Sequence, residues 1–356
     1  MPMLAELVDG VIGVDTHQDT LTAAAVSNLG GVLAQITTSA DAAGYRQVFD
    51  FAQRQLPGRR CWAVEGAGSF GAGLTVMLQQ RGERVVEVGR PKRPASRSGA
   101  KSDALDAVRA GREVLGQDCP AIPRRRGERE ALRALLTTRR SATTARVAAV
   151  GQLKALIVGA PEELRAELRG QPTSRQIDYC ANLRERPARS LEHRATIRAL
   201  RATAQRIRLL QVEADQLQAE LAVLVSAVAP WLLEVPGVGP LSAAQVLVSW
   251  SHAGRFRSEA AFAALAGTNP ISASSGQVTR HRLNRGGDRQ LNRALHTILL
   301  VRLRTDPDTR AYLARRTAEG KSRRDAKRCL RRVIARQLFR LLERYDRPGV
   351  EILRAT

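Results

Sequence analysis

The chain has 356 residues, long enough for two or three domains, and its 44% hydrophobic content is ordinary for a globular protein. Its 57 Lys and Arg against 34 Asp and Glu leave a net charge of +23, which favours a polyanionic partner because each phosphate contact releases condensed counterions. The same sequence excludes a membrane-spanning helix, having no run of 18 apolar residues, and a cysteine-built zinc or disulfide framework, since Cys61, Cys119, Cys180 and Cys329 stand far apart with no CxxC.

Of the basic residues, 52 are Arg and five are Lys. A GC-rich genome accounts for most of that preference but not for the net charge. Aromatic residues make up only 4%, which argues for backbone contacts over stacking platforms in any nucleic-acid complex. The opening MPMLAELVDGVIGVD carries acids where a signal peptide carries lysines, so the expectation is a soluble cytoplasmic protein.

Residues 11–16, 21–27 and 31–38 are three short apolar runs split by turn-sized gaps, which predicts a β-meander. Residues 41–56 have helical spacing, with Asp41 as N-cap. A strand at 61–64, a helix at 71–80 and a strand at 84–88 follow. After the basic loop 89–100, Ser102 caps a helix over 101–115. Three strands, helix, strand, helix, strand, helix is the element order of an α/β RNase H-like (RuvC-like) domain, here 1–118.

Residues 127–158 and 189–230 read as long helices joined by a turn at 159–190. In the second, Leu200, Ile207, Ala214, Leu221 and Val228 recur every seven residues, and Thr203, Leu210, Leu217, Leu224 and Trp231 sit three residues later. Residues 119–230 are therefore a helical coiled-coil spacer. Its heptads serve either dimerisation or packing of the two helices within one chain. A mainly α C-terminal domain, 231–356, completes the chain. It contains an apolar turn at Pro236-Gly237-Val238-Gly239, a loop rich in Gly, Ser and Asn at 267–290, and a tail over 301–347 with sixteen Arg and Lys against six acids.

Four acids occupy positions suited to metal chemistry. Asp15, in VIGVDTH, and Glu65, in CWAVEGAGS, each leave an apolar strand, while Asp103 and Asp106, in KSDALDA, share one helix face. Four carboxylates brought together repel unless cations lie between them, which points to two Mg²⁺ ions about 4 Å apart for phosphoryl transfer. Each acid alone reads more readily as a cap or turn residue; their combination, in this order on these elements, is what points to a metal site. Gly237 and Gly239 belong either to a helix-hairpin-helix phosphate site or to an ordinary tight turn. Ser274-Ser275-Gly276, followed by Arg280, Arg282, Arg285 and Arg289, reads by itself as a plain loop, although a Ser beside Gly can approach a phosphodiester closely.

Together these residues resemble the insertion-sequence-110 family of transposases, related to the Piv-type DNA invertases. The resemblance rests on GVDTH, EGAGS and KSDALDA in the first half. In the second it rests on VPGVGPLSA, FAALAGTNPISASSG and HRLNRGGDRQLNRAL. It implies a metal-binding tetrad of Asp15, Glu65, Asp103 and Asp106 and a catalytic serine at Ser275, with Ser274 the alternative. It further implies a Mg²⁺-dependent covalent serine–DNA intermediate, a structured non-coding bridge RNA as guide, and a dimer or dimer of dimers. Two other readings stay open: a RuvC-like nuclease that hydrolyses junction DNA with activated water, and a non-enzymatic DNA-binding architectural protein.

Overall fold

A computed structural model describes residues 2–89, 102–118, 120–184, 190–273, 281–284 and 286–346. The chain forms two compact units. One comprises Met1–Arg125 with Ser251–Ala261 and Arg340–Thr356; the other comprises Arg126–Trp250 with Phe262–Phe339.

The first unit begins with α1 (Leu4–Leu7), β1 (Gly10–Thr16), β2 (Thr20–Ser27) and β3 (Val32–Ser39). It continues with α2 (Ala42–Gln55), β4 (Arg60–Glu65), α3 (Ala72–Gln80), β5 (Val85–Val88) and α4 (Asp103–Leu115). The strands make one sheet in the order β3-β2-β1-β4-β5. The β1–β2 and β2–β3 pairs are antiparallel, and β1–β4 and β4–β5 are parallel. This mixed sheet with a mostly helical remainder is consistent with an RNase H-like fold. Asp41 caps α2 by accepting from the Ala43 and Gly44 amides, as its position in the sequence suggests.

Alternation along β1 divides the core. Ile12 and Val14 join Trp62, Val64, Phe51 and Leu74 on the α2–α3 side. Val11 joins Cys61, Ala63, Val86, Ala107 and Val114 on the α4 side. Gly13 also faces α4, and a Cβ there would lie 2.0 Å from the Ala107 carbonyl oxygen and 2.7 Å from the Gly111 amide nitrogen. Strand and helix meet backbone to backbone at this point, which holds the first turn of α4 over the end of β1. Gly13→Val therefore forces the two apart, an overpacking that costs about 1–3 kcal/mol or more. Scanning calorimetry should show a melting temperature lowered by several degrees; an unchanged value would mean that α4 can move freely.

The second unit contains α5 (Glu128–Val158), α6 (Glu162–Leu168), α7 (Thr173–Ala181), α8 (Leu191–Val228), α9 (Pro230–Leu233) and α10 (Pro240–Trp250). After α11 (Glu259–Leu265), which bridges from the first unit, come β6 (Pro270–Ser272) and β7 (His281–Leu283). Last are α12 (Arg289–Thr305), α13 (Pro307–Ala318) and α14 (Arg323–Tyr345). The stretch 159–190, expected as a turn, instead carries α6 and α7. Pro161 and Pro172 stand just before them, and Leu164, Leu168 and Cys180 pack on Leu153, Ile157, Leu200 and Ile207 of the long pair. Within the Gly- and Ser-rich loop, β6 and β7 form a short antiparallel hairpin.

Along α8, the first set of heptad positions is used inside the chain. Leu200, Ile207, Ala214 and Leu221 are buried, whereas Leu210, Leu217 and Leu224 are half-buried. A different stripe of α8 faces outward, with Leu209, Val212 and Val223 each more than half exposed.

The turn at Pro236–Gly239 packs against α12. Gly237 adopts φ +79°, and a Cβ there would sit 2.8 Å from the Ile298 carbonyl oxygen. Arg302, itself buried, donates from Nε to the Pro236 carbonyl at 2.7 Å and from Nη1 to Gln337 Oε1 at 3.0 Å. The turn thus has the packing of a tight connection between helices, and Gly239 alone of its two glycines opens onto free space.

Candidate active site

The candidate site lies where β1 runs out beneath the first turn of α4. Val11, Gly13 and Asp15 share the α4 side of the sheet by strand alternation, which leaves Asp15 only 6% exposed. The parallel β1–β4 register ends at Val14 opposite Val64, so the next residues on the two strands are Asp15 and Glu65. The strand ends are tied by Thr16, whose Oγ1 donates to the Glu65 carbonyl at 2.9 Å. Glu65 follows Cys61 and Ala63 on the α4 side of β4 and is half-buried.

Ser102 fixes the helix above, its Oγ accepting from the Leu105 amide at 3.3 Å. Asp103 and Asp106 both fall in the first turn of α4, where the helix dipole favours negative charge. His17 joins them. Its Nε2 lies 3.4 Å from Asp15 Oδ2 and 3.3 Å from Asp103 Oδ1. Ligand atoms of Asp15, His17 and Asp103 all fall within 4.8 Å of one another. Asp106 is turned to Arg109, whose Nη1 donates to its Oδ1 at 2.8 Å.

Burial raises the Asp15 pKa above the usual carboxylate value. The nearby Asp103 and Asp106 carboxylates push it the same way, against the lowering effects of His17 and of the Thr16 backbone hydrogen bond. Burial and like charge thus both disfavour the ionised form of this carboxyl group. Hard oxygen donors with one imidazole, repelling until a cation arrives, fit a small divalent metal.

Of the four acids expected to form the site, Asp15 and Asp103 come together. Asp106 acts on Asp15 electrostatically, and Glu65 occupies the adjoining strand end. His17 was not expected. It stands two residues after Asp15, and a period of two at the end of a strand was the signal that could have found it. Elsewhere, Arg282 on β7 and Arg289 at the start of α12 are exposed. Ser274, Ser275, Arg280 and Arg285 lie outside the described residues.

Residues 12–160, which contain all four acids, match the DEDD transposase model of IS110. Residues 229–314 match the model of the transposase IS116/IS110/IS902 family. The chain belongs to the IS110 family of transposases. Over 129 residues it is 35% identical to the insertion element IS110 uncharacterized 43.6 kDa protein of Streptomyces coelicolor, a match covering 35% of this chain and 32% of that protein. Over 92 residues it is 35% identical to the insertion element IS900 uncharacterized 42 kDa protein of Mycobacterium paratuberculosis, covering 25% and 23% respectively. The matched part thus spans about a third or less of each relative. Membership of a DEDD transposase family points to a divalent metal, in keeping with the donors gathered around Asp15. Among the described residues no helix is long and apolar enough to cross a membrane.

Proposed function

We propose that this IS110-family chain is a transposase that cuts and rejoins DNA at specific sites. In this reading Asp15, Glu65, Asp103 and Asp106 hold Mg²⁺, two ions per site, and Ser275, or its neighbour Ser274, is the nucleophile. The observation that carries it is the convergence of Asp15, Asp103 and His17 at one strand end, inside the segment that matches a DEDD transposase. When bound, the metal stabilises the attacking and leaving oxygens of phosphoryl transfer.

The chain's own groups do the positioning. The buried Asp15 and the capped first turn of α4 hold the acids in place before substrate arrives, so little reorganisation remains for the chemical step. Arg282 and Arg289 are exposed cations able to hold phosphate oxygens, with Arg280 and Arg285 in the same stretch of chain. Gly237 and Gly239 belong to the same reading as a backbone contact to phosphate, best served by the open Gly239. A structured bridge RNA as guide accords with the +23 net charge.

Strand breakage and joining on DNA carrying the ends of the chain's own element tests this function. Products should form with Mg²⁺ or Mn²⁺, vanish with chelator and vanish in Asp103→Ala. Full activity of Asp103→Ala in chelator would exclude it.

The reading includes a homo-oligomer, a dimer or dimer of dimers. The outward stripe of α8 supports this, because Leu209, Val212 and Val223 are 70%, 53% and 73% exposed on one helix face. Leu209→Glu with Val223→Glu should lower the mass found by sedimentation at least twofold. An unchanged mass would mean that this stripe takes no part in assembly.

A further inference from the structure

A second constellation lies in the helical unit. A cleft of about 990 Å³ opens between the β6–β7 hairpin and the start of α14. Arg282, Lys321, Arg324, Arg328, Arg331 and Arg332 line it. Arg324, Arg328 and Arg331, spaced by four and three, share one face of α14, and Lys321 stands just before that helix. Among the described residues the lining holds one acid, Asp325, and its carboxylate is already engaged by Ser322 at 2.6 Å and Arg328 at 3.1 Å. Like charges stacked at this spacing destabilise a helix by themselves. Burial, and after it the neighbouring cations, lower the pKa of Arg331 (Arg328) and of His296 (Arg331 and Lys327).

Tyr312 lines the same cleft, half-buried, with Arg315 and Arg316 at 5.4 and 6.0 Å from its ring centroid. A basic groove beside an aromatic ring is the combination that grips single-stranded nucleic acid, phosphates on the cations and a base on the ring. The cleft, about 990 Å³, has room for a few nucleotides of one strand.

We propose that this cleft binds one separated strand of polynucleotide, its phosphates on the basic face of α14 and one base against Tyr312. The inference rests on the reading above that the chain acts on nucleic acid. It adds a site for the unpaired strand that cutting and rejoining create.

The test is fluorescence anisotropy of the full chain with a dT 12-mer, a U 12-mer and a 12-base-pair duplex. Single strands should be held mainly by the cleft, and whichever of dT and U binds tighter identifies the strand as DNA or RNA. In Lys321→Gln/Arg324→Gln, single-strand affinity should fall about tenfold. The log–log salt slope should shrink by about 0.7 for each phosphate the variant no longer neutralises. Tyr312→Ala should cost at least about fivefold on single strands and nothing on duplex, and Tyr312→Phe should restore it. Cys329 lines the cleft as a free thiol, so the dT 12-mer should slow its alkylation in the unaltered protein, a readout independent of how the variants fold.

Unchanged single-strand affinity and slope in the double variant, or Cys329 alkylated equally fast with oligonucleotide, would overturn the proposal. If metal-dependent DNA joining persists alongside those results, the cleft assignment alone falls. If the unaltered chain binds no polynucleotide at all, the proposed function falls with it.

Discussion

Asp15→Asn should reduce metal-dependent strand cleavage by at least about 10²–10³-fold, the loss expected when a preorganised charge is removed from the reacting centre. It should also make the metal-free protein more stable. Asp15 is buried, and its pKa is raised above the ordinary carboxylate value, first by burial and then by Asp103 and Asp106. With the folded pKa above the unfolded one, the folded state binds the proton more tightly. The stability from this group is therefore fully present below the unfolded pKa and is lost as pH rises through the folded pKa. At pH 7 the ionised carboxylate opposes folding, and a neutral amide of the same shape removes that opposition. The melting temperature should rise by a few degrees, since roughly 1 kcal/mol corresponds to about 2–4 °C in domains of 150–250 residues. The gap between variant and unaltered protein should close as pH falls towards the carboxylate range. Mn²⁺ should reverse the ranking, stabilising the unaltered chain and leaving Asp15→Asn where it was. A metal-free Asp15→Asn that melts lower would show that His17 pairs with Asp15 strongly enough to outweigh burial.

Ser275→Ala should eliminate the denaturation-resistant protein–DNA adduct while leaving DNA binding and metal binding intact. A serine hydroxyl is a weak nucleophile at neutral pH and needs a base or metal beside it. In the proposed step the serine oxygen bonds to phosphorus and loses its proton, and the strand leaves as a 3′-hydroxyl that takes one up. Attack on the same phosphorus by a 3′-hydroxyl from another strand reverses both changes. The phosphoserine conserves the energy of the broken phosphodiester, so resealing needs no ATP. A glycine directly after the serine, as Gly276 stands in the sequence, would permit close approach to the phosphate in this step. Ser274→Ala should keep at least part of the adduct. If the two variants behave the other way round, the nucleophile is Ser274. If both retain the adduct, another side chain is the nucleophile; if metal-dependent cleavage proceeds with no adduct even in the unaltered chain, the acidic centre activates water and the chain is a nuclease.

The sheet was legible because its signals are local. Short apolar runs split by turn-sized gaps mark β1 to β3, and Asp41 and Ser102 announce α2 and α4 as caps. Asp15 and Glu65 could be placed at strand ends for the same reason, and Asp103 and Asp106 by their spacing. Long-range partners left no such trace. Nothing near Asp346 forecasts that its carboxylate accepts from the Ala253 amide at 3.0 Å, or that Arg125 donates to it from over two hundred residues away. The two helices within 159–190 escaped because seven and nine residues after a proline carry too few apolar positions to show a period. The heptads of α8 are legible as a stripe, but a stripe does not name its partner. Leu200 and Ile207 find theirs in the chain's own long helix α5 and shorter helices α6 and α7, and the face that is left over carries Leu209, Val212 and Val223. His17 escaped because its one local signal, standing two residues after Asp15, is shared by many strand ends; it became distinctive only when α4 brought Asp103 to it.

The claim on which the rest depends is that the strand end beneath α4 is a metal centre. Mn²⁺ titration followed by electron paramagnetic resonance tests it without needing the DNA substrate. The unaltered chain should take up Mn²⁺ with its free signal suppressed, Asp103→Asn should bind weakly, and Asp15→Asn should leave the signal of free Mn²⁺ unchanged. Equal uptake by all three proteins would contradict the account and place the metal elsewhere.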